Sequence, residues 1–438
     1  MPPYPPVFAA IRQELYDWRL WMGRGIVMAF AALAGLTVVA FTWMTEHALG
    51  YFRAFEGNFW WGPLLWTPAA TAAIVWLTRR YAAGAAGSGI PQVMAALTPD
   101  VPKACVNLYV STKLAVAKMA LSTWGLLAGL SLGREGPSVQ IAAGVMHHAR
   151  RWLPKQSQIS EHGLLMAGGA AGIAAAFNTP LGGVMFAIEE LSRKPEQRSN
   201  GLLLAAIVLA GLMAVSVYGN STYFGVIRVQ SFSLSLLLPG ILVAVCSGLA
   251  GGLFARLLLI SLTGGAGDWF SRFRQRSPIR FAAACGLAVA VLGVVSHGDT
   301  YGGGYTHTRD MLEGKGDESG LYVLLKFLAT WITAWSGVPG GIFAPSLAIG
   351  GALGNDIAQF TSYANAPTLI ALGMAGFLAA VTQAPLTAFI IVMEMVDGHA
   401  LVLSLMASAL VASGVSRLIS APLYSSLAQL QLNRLPKH

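Results

Sequence analysis

Gly133-Arg134-Glu135-Gly136-Pro137-Ser138 is the stretch that decides how this 438-residue chain is organised. It places the carboxylate of Glu135 between two long apolar segments. A charge at the centre of a bilayer costs about 2.5–3.5 kcal/mol on insertion scales, so such a residue indicates function. Glycine permits a sharp turn, and proline suits the first turn of a helix. We therefore predict a break followed by a helix N-terminus, which attracts anions.

The same pattern recurs 208 residues later, in Gly341-Ile342-Phe343-Ala344-Pro345-Ser346. Glycine, proline and serine match, and Phe343 takes the position of Glu135. A single match of this kind is weak evidence in a chain that holds 50 glycines and 21 prolines.

A second pair of segments is related by nearly the same offset. Pro180 precedes Glu189 by nine positions, and Pro385 precedes Glu394 by nine positions. Two matches at nearly equal offsets predict a duplicated architecture. Repeats in transporters hold their sites near the midplane, at broken helices in corresponding positions of the two halves.

The composition is that of a polytopic membrane protein. Hydrophobic residues make up 55% of the chain and charged residues 11%, with a mean hydropathy of +0.60. Soluble domains carry about 25% charged residues. The net charge of +9 is better explained by basic cytoplasmic loops than by a nucleic-acid partner. Three scattered cysteines, at 105, 246 and 285, predict neither a metal site nor a disulfide framework.

Apolar runs of about 20 residues predict the membrane crossings. The first two are Gly25–Thr45 and Gly57–Thr78, after a cytoplasmic amphipathic helix within residues 1–24. The small, glycine-rich stretch Ala82–Pro91 is not an ordinary spanning helix, because irregular backbone at this depth must be covered by protein or water. The last predicted span is Gly398–Ser416.

Charge sets the expected orientation. A cluster of arginines is assigned to the cytoplasm, and the acidic, glycine-rich loop 299–318 to the outside. The arginines are Arg272, Arg274, Arg276 and Arg280. We expect one integral membrane transport domain over residues 1–438, with repeat halves at roughly 25–198 and 199–430 and no appended soluble domain.

Motifs of soluble enzymes give one alternative. The only Gly-Lys pair, Gly314-Lys315, is not part of a Walker A loop, so no ATP drive is expected in this chain. Gly129-Leu130-Ser131-Leu132-Gly133 matches the spacing of a nucleophile elbow, although no strand context surrounds it. A membrane-embedded serine hydrolase using Ser131 is therefore the competing class.

Three loops and one tyrosine together resemble the CLC family of chloride channels and chloride/proton antiporters. The loops are Gly87-Ser88-Gly89-Ile90-Pro91, Gly133-Arg134-Glu135-Gly136-Pro137 and Gly341-Ile342-Phe343-Ala344-Pro345, and the tyrosine is Tyr424. The resemblance covers nearly the whole chain. It implies an all-α fold in which two inverted-topology repeats with broken helices meet at a midplane anion site. It also implies a homodimer with one pore per subunit, in a prokaryotic cytoplasmic membrane.

The resemblance further implies roles for particular residues. Ser88 and Tyr424 would offer hydroxyls to a chloride ion, and the backbone N–H groups of Ile342 and Phe343 would complete that site. Glu135 would be the gating glutamate just outside it. Hydroxyls and amides suit conduction, because an ion must be bound strongly enough to enter and weakly enough to leave.

Glu190 resembles the inner proton-accepting glutamate of the antiporters, with Glu189 as its neighbour. Gln92 stands where many relatives have an acid, which leaves the role of that position open. Supporting positions are Lys118, Gly133, Gly136, Pro137, Gly341 and Glu189.

Several of these residues also have plainer interpretations. Ser88 and Tyr424 suit helix-cap and interface positions, and Phe343 suits packing. Glu189 is expected to pair with a basic residue such as Arg193, and Lys118 suits a helix end where it snorkels to the interface. Glu135 is the exception, because nothing structural requires a glutamate there.

We therefore expect a transporter, not an enzyme, that exchanges chloride for protons and contacts membrane lipid. A passive chloride channel of the same fold is the alternative, and Glu190 favours exchange over it. A fluoride exporter fits less well, because those relatives depart from the Ser88 and Pro137 patterns. No cofactor, metal or nucleic acid is expected.

Overall fold

The regular structure of this chain is helical throughout the part that the computed structural model describes. That part comprises residues 18–99, 101–154, 157, 159–192, 200–219, 224, 234–264, 268–315 and 320–433. In the first half the helices are α1 Trp18–Asn58, α2 Pro63–Tyr81, α3 Ile90–Ala96, α4 Lys103–Tyr109, α5 Thr112–Leu127, α6 Glu135–His148, α7 Glu161–Phe177, α8 Pro180–Phe186 and α9 Asn200–Tyr218.

The second half continues with a similar order. Its helices are α10 Leu237–Thr263, α11 Trp269–Arg276, α12 Pro278–Val295, α13 Tyr305–Leu312, α14 Tyr322–Ser336, α15 Phe343–Phe360, α16 Ala366–Thr382, α17 Pro385–Met395, α18 Val402–Arg417 and α19 Leu423–Asn433. Short 3₁₀ turns at Ala83–Ala85, Ala149–Arg151, Leu234–Leu236 and His399–Leu401, and a π turn at Ala187–Leu191, lie between them.

The duplication is visible in where the helices begin. The starts of α6 and α15 are separated by the same offset as the two glycine motifs. One common offset relates the starts of α7 and α8 to those of α16 and α17, and another relates α2 and α3 to α12 and α13. By the same correspondence α9 matches α18, so we propose that the first half extends to Tyr218, beyond the boundary at 198 expected from the sequence.

Five described helices are long and apolar enough to cross a membrane. They are Trp18–Asn58, Gly201–Tyr218, Leu237–Thr263, Pro278–Val295 and His399–Arg417, the last counted with its 3₁₀ turn. α12, with 18 residues, is about 27 Å long at about 1.5 Å per residue, close to the thickness of the hydrocarbon core. The chain is an integral membrane protein.

Some predicted boundaries were wrong, because helices here end at local signals rather than at the limits of hydropathy. The first predicted crossing, Gly25–Thr45, lies inside the 41-residue helix α1, which already begins at Trp18. The predicted amphipathic segment therefore joins α1 at Trp18, and its residues 1–17 lie outside the described part. The second predicted crossing is interrupted before Pro63, where proline begins α2.

Glycines bring helices of each half into backbone contact. A Cβ on Gly172 of α7 would lie 2.5 Å from the carbonyl oxygen of Ser138 in α6. In the second half, a Cβ on Gly350 of α15 would overlap the carbonyl of Gly373 in α16. Small residues allow such close approach between membrane helices. The two matching pairs, α6 with α7 and α15 with α16, pack closely at the centre of the fold.

We call the side that carries the loop 299–315 the outer side, following the charge pattern of the sequence. The side that carries α11 is the inner side. α12 connects the two, because α11 ends at Arg276 and the loop begins beyond Val295.

Candidate functional site

The centre of the site is a pair of hydrogen bonds between the two repeated motifs. The N–H of Gly133 donates to the carbonyl of Gly341 at 2.8 Å, and the N–H of Gly341 donates to the carbonyl of Gly133 at 2.8 Å. The two segments run antiparallel at this bridge. α6 and α15, which begin just after these glycines, therefore start at the same point of the molecule.

Glu135 is fully buried at this point, and both of its carboxylate oxygens accept hydrogen bonds. Oε2 accepts from the backbone N–H of Ala344 at 3.4 Å, in the first turn of α15. Oε1 accepts from the hydroxyl of Tyr305, and Nε of Arg134 lies 3.9 Å from the same oxygen. A helix N-terminus favours negative charge, so the carboxylate occupies a position suited to an anion.

An outer cavity of about 460 Å³ lies next to the residues that contact this carboxylate, Arg134 and Tyr305. Its lining includes three arginines, Arg53, Arg134 and Arg309, together with Tyr305. Arg134 is nearly buried and donates to the half-exposed carboxylate of Glu46 at 2.7 Å. The guanidinium is thereby held beside Glu135 and beneath an opening whose lining carries more positive than negative side chains.

A second cavity, of about 130 Å³, lies on the inner side of the same motifs. It is lined by Ser88, Ile342 and Tyr424 among others. The hydroxyl oxygens of Ser88 and Tyr424 are buried and close to each other, and neither makes a hydrogen bond of good geometry to another described residue. Because an unpaired buried hydroxyl is costly, these two groups indicate a place for a ligand that accepts hydrogen bonds.

Phe343 closes this region by packing. Its ring stacks on that of Tyr424, with centroids 6.0 Å apart, and also contacts Phe177 and Phe186. Ser88 lies directly against Gly136, where a Cβ would overlap its hydroxyl oxygen. The structure thus brings the predicted residues of the chloride site together around the paired glycines.

The loop that carries Ser88 is held by buried polar side chains. Lys118 is fully buried and donates to the carbonyls of Ala85, at 2.8 Å, and Gly87, at 2.5 Å. The snorkelling interpretation of this lysine is therefore wrong. Gln92 accepts from the N–H of Gly89 at 3.1 Å, so it serves this loop as a cap.

Glu190 and Glu189 lie on the π turn Ala187–Leu191 and line an inner cavity of about 660 Å³. Arg417 lines the same cavity. Glu189 accepts hydrogen bonds from the backbone N–H groups of Leu386, at 3.1 Å, and Thr387, at 2.7 Å. Both donors lie at the start of α17. The expected partner of Glu189, Arg193, lies outside the described residues.

The second half repeats this contact in reverse. Glu394 accepts from the N–H groups of Leu181, at 3.1 Å, and Gly182, at 2.7 Å, at the start of α8. Each repeat therefore caps a helix of the other with its own glutamate. This is what a two-fold relation between the halves requires.

Comparisons with known proteins agree with this geometry. The sequence profile of the family described as "Voltage gated chloride channel" matches residues 69–417. The chain belongs to the CLC family. The H(+)/Cl(-) exchange transporter ClcA of Klebsiella pneumoniae is 31% identical over 422 residues, which cover 91% of this chain and 86% of that relative. ClcA of Citrobacter koseri is 32% identical over 385 residues, or 83% of this chain and 78% of the relative.

Solved structures of the CLC family share the fold. A slow cyanobacterial Cl-/H+ antiporter superposes with a TM-score of 0.78 at 25% identity, covering 95% of this chain and 98% of that one. A CLC-type fluoride/proton antiporter superposes with a TM-score of 0.75 at 22% identity, covering 97% and 99%. This second similarity supports the fold alone.

The hydrolase interpretation does not fit a member of the CLC family with these contacts. The hydroxyl of Ser131 lies 2.9 Å from that of Thr330, and its N–H donates to the hydroxyl of Thr333. A nucleophilic serine needs an adjacent base, and neither threonine can act as one. These contacts make Ser131 part of the packing between the loop before α6 and helix α14.

Two contributors to this site were missed from the sequence. Tyr305 contacts Glu135 although the two are far apart in the chain. Lys326 is fully buried and supports the loop before Tyr305. A signal for Lys326 existed, since it follows Lys118 by the same offset that separates the glycine motifs. Tyr305 had no comparable signal.

Proposed function

We propose that this member of the CLC family is a secondary active transporter, not an enzyme, which exchanges chloride for protons across a cytoplasmic membrane. The names of its relatives support this reaction, because the two ClcA proteins are H(+)/Cl(-) exchange transporters. The single observation that carries the proposal is the buried carboxylate of Glu135. It lies at the start of α15, between the outer cavity and the inner hydroxyls.

In the proposed mechanism, chloride binds in the inner cavity to the hydroxyls of Ser88 and Tyr424. The backbone N–H groups of Ile342 and Phe343 add donors, because the first N–H groups of a helix have no partner within it. The absence of a fixed ammonium suits a transported ion, which must also leave. Gly136 and Gly341 let the backbones come close enough to form this site.

Glu135 is the proposed outer gate. As an anion it occupies the N-terminus of α15 and competes with chloride for the same donors. When it takes up a proton it loses that attraction, moves toward the outer cavity and admits chloride. The side chain of Glu135 thereby either carries a proton or occupies the place of a chloride ion. This alternation couples the two fluxes. Gly133 and Pro137 shape the break that lets its side chain fold over the bridge.

Glu190 is the proposed proton acceptor on the inner side. Its support is its position on the lining of the large inner cavity, beside the base of the chloride pathway. A π turn, as found here, is frequent at functional sites. Glu189 has a different part in this proposal, because its carboxylate caps α17 and keeps the turn in position. Lys118 positions the Ser88 loop in the same way.

We also propose that two copies associate, each with its own pathway. Exposed leucines at the starts of α8 and α17, Leu181 and Leu386, flank the partly exposed carboxylates of Glu189 and Glu394. A carboxylate beside hydrocarbon is costly, and a second copy that covers this face would remove the cost. The mass of the purified protein in detergent tests this arrangement.

One experiment tests the proposed reaction. Purified protein in proteoliposomes is given a chloride gradient, and chloride release and external pH are recorded together. Exchange requires proton movement against the proton gradient, driven by chloride. Chloride release with no pH change would favour a passive channel of the same fold instead.

A further inference from the structure

Two lysines that are buried in the described part of the chain hold matching loops on opposite sides of the glycine bridge. Lys118 donates to the carbonyls of residues 85 and 87, and Lys326 donates to those of residues 300 and 302, at 2.8 and 2.7 Å. The two pairs of acceptors are separated by the same offset as the helices α3 and α13 that follow them. The loop Thr300–Gly304 is therefore the outer counterpart of the loop that carries Ser88.

This correspondence gives Tyr305 a defined place. It is the first residue of α13, as Ile90 is the first residue of α3. Its side chain lines the outer cavity, and its hydroxyl donates to Oε1 of Glu135. The guanidinium of Arg134 lies 5.3 Å from the centre of its ring. The inner counterpart of this loop supplies the hydroxyl of Ser88 to the proposed chloride site, and the outer loop supplies the hydroxyl of Tyr305.

We propose that the hydroxyl of Tyr305 is an outer chloride ligand, which serves Glu135 and chloride in turn. This inference rests on the proposed function and adds a residue to it. When the protonated Glu135 moves aside, the hydroxyl faces a space beside the N-terminus of α15. A chloride ion that follows Glu135 can accept the hydrogen bond that the carboxylate has given up, and a hydrogen bond to a charged group is a strong one. Lys326 keeps the donor in position, because it fixes the loop from which α13 starts.

The charged surroundings favour an anion at this place. Arg134, Arg53 and Arg309 line the outer cavity with Tyr305, and Glu46 is the carboxylate that faces them. Glu46 accepts a hydrogen bond from Arg134. A chloride ion beside Tyr305 would therefore meet more positive than negative charge, together with the helix N-terminus.

A purely mechanical role for Tyr305, as a latch on Glu135, makes a different prediction. In the wild type the two roles are hard to separate, because loss of the hydroxyl would remove a hydrogen bond from the Glu135 carboxylate as well as from chloride. Glu135→Ala removes the carboxylate that a latch would hold, so any remaining effect of the hydroxyl on chloride binding reports contact with chloride. The comparison is therefore made in that background.

The experiment measures chloride binding by calorimetry to Glu135→Ala and to Glu135→Ala combined with Tyr305→Phe. We expect the second change to weaken chloride binding about tenfold, as loss of a hydrogen bond to a charged group does. Tyr301→Phe in the same background is the matched control, since its hydroxyl donates to the carbonyl of Ala290, at 3.2 Å, away from the pathway. It should leave chloride affinity within twofold.

Equal affinities with and without the Tyr305 hydroxyl would overturn the inference and leave the proposed exchange intact. A Glu135→Ala protein that is folded but binds no chloride would overturn the chloride site itself, and this ligand with it. A similar loss in Tyr301→Phe would also count against the inference, because it would assign the effect to the outer loop as a whole.

Discussion

Gly133 and Gly341 hydrogen-bond each other in both directions, each N–H to the other's carbonyl at 2.8 Å. Equivalent positions of two repeats meet in this way only where a two-fold axis passes between them, so the repeats are inverted relative to each other. The next positions differ in chemistry. Just beyond each glycine stand Glu135 and Phe343, so an acid faces outward in one half and an aromatic ring packs on Tyr424 in the other. Symmetric backbones therefore carry side chains of different chemistry at equivalent positions.

The close approach at this bridge leads to the first prediction. A Cβ at Gly341 would lie 2.9 Å from the N of Gly136 and 3.1 Å from the carbonyl oxygen of Gly133. Gly341→Val should therefore force the motifs apart and abolish transport or expression. Gly25→Val in α1, where a Cβ meets nothing within 4 Å, is the control and should retain chloride flux. Normal flux through Gly341→Val would show that the bridge is dispensable.

A second prediction concerns the lysine of the outer loop. Lys326→Met removes the donor to two buried carbonyls, those of Thr300 and Gly302. Each unpaired carbonyl costs about 1–3 kcal/mol, so the variant should unfold at a clearly lower temperature in detergent. Lys113→Met, at an exposed position of α5, should leave the unfolding temperature unchanged. If Lys326→Met unfolds at the same temperature as Lys113→Met and the wild type, Lys326 does not support the loop.

Much of this site could be predicted from local sequence, because broken helices need glycine and proline at fixed places. Two nearly equal offsets identified the repeats, and α6 and α15 begin where the motifs predicted. Contacts between the halves could not be predicted in the same way. The bonds of Glu189 to the helix that begins at Pro385, in the other half of the chain, were not predicted; the expected partner Arg193 lies outside the described residues.

The buried lysines also show that contacts between distant segments are hard to predict from local sequence. Hydropathy cannot distinguish a lysine that snorkels from one that is fully buried on backbone carbonyls, as Lys118 is. That distinction depends on a loop folding back over the helix. The contact of Tyr305 with Glu135 is a stronger case, since it needs both halves assembled around the bridge.

A third prediction tests the inner hydroxyls. Tyr424→Phe keeps the ring on Phe343 and removes only the hydroxyl, so chloride binding should weaken about tenfold. Tyr424→Ala removes the ring as well and should also loosen the coupling of chloride to protons, while two copies remain associated. Tyr301→Phe is the control, because its hydroxyl donates to the carbonyl of Ala290, at 3.2 Å, and Tyr301 does not line the cavity that holds Tyr424. Unchanged affinity by calorimetry in Tyr424→Phe would remove this hydroxyl from the site.

A fourth prediction separates the two acids. Glu190→Gln should stop proton movement, because the inner acceptor can no longer take up a proton. Chloride flux should persist and still rise as the external pH falls, since Glu135 remains titratable. Glu313→Gln, at an exposed position beyond α13, should change neither flux. Continued proton movement in Glu190→Gln would exclude this residue from the proton pathway.

The last prediction concerns the residue on which the coupling depends. Glutamine at position 135 keeps the size of the side chain but never carries a charge, so Glu135→Gln should behave as the protonated gate at every pH. The carboxylate of the wild type blocks the pathway at high pH and releases it as protonation proceeds, so wild-type chloride flux should rise as pH falls. In Glu135→Gln that rise should disappear, chloride should still move and proton movement should cease. These fluxes are measured together in proteoliposomes at several external pH values, with Glu313→Gln, at an exposed position, as a control that leaves Glu135 and its contacts unchanged. Proton movement against its gradient through Glu135→Gln would end the proposed exchange mechanism, because nothing else in that scheme lets one side chain bind a proton and vacate an anion site.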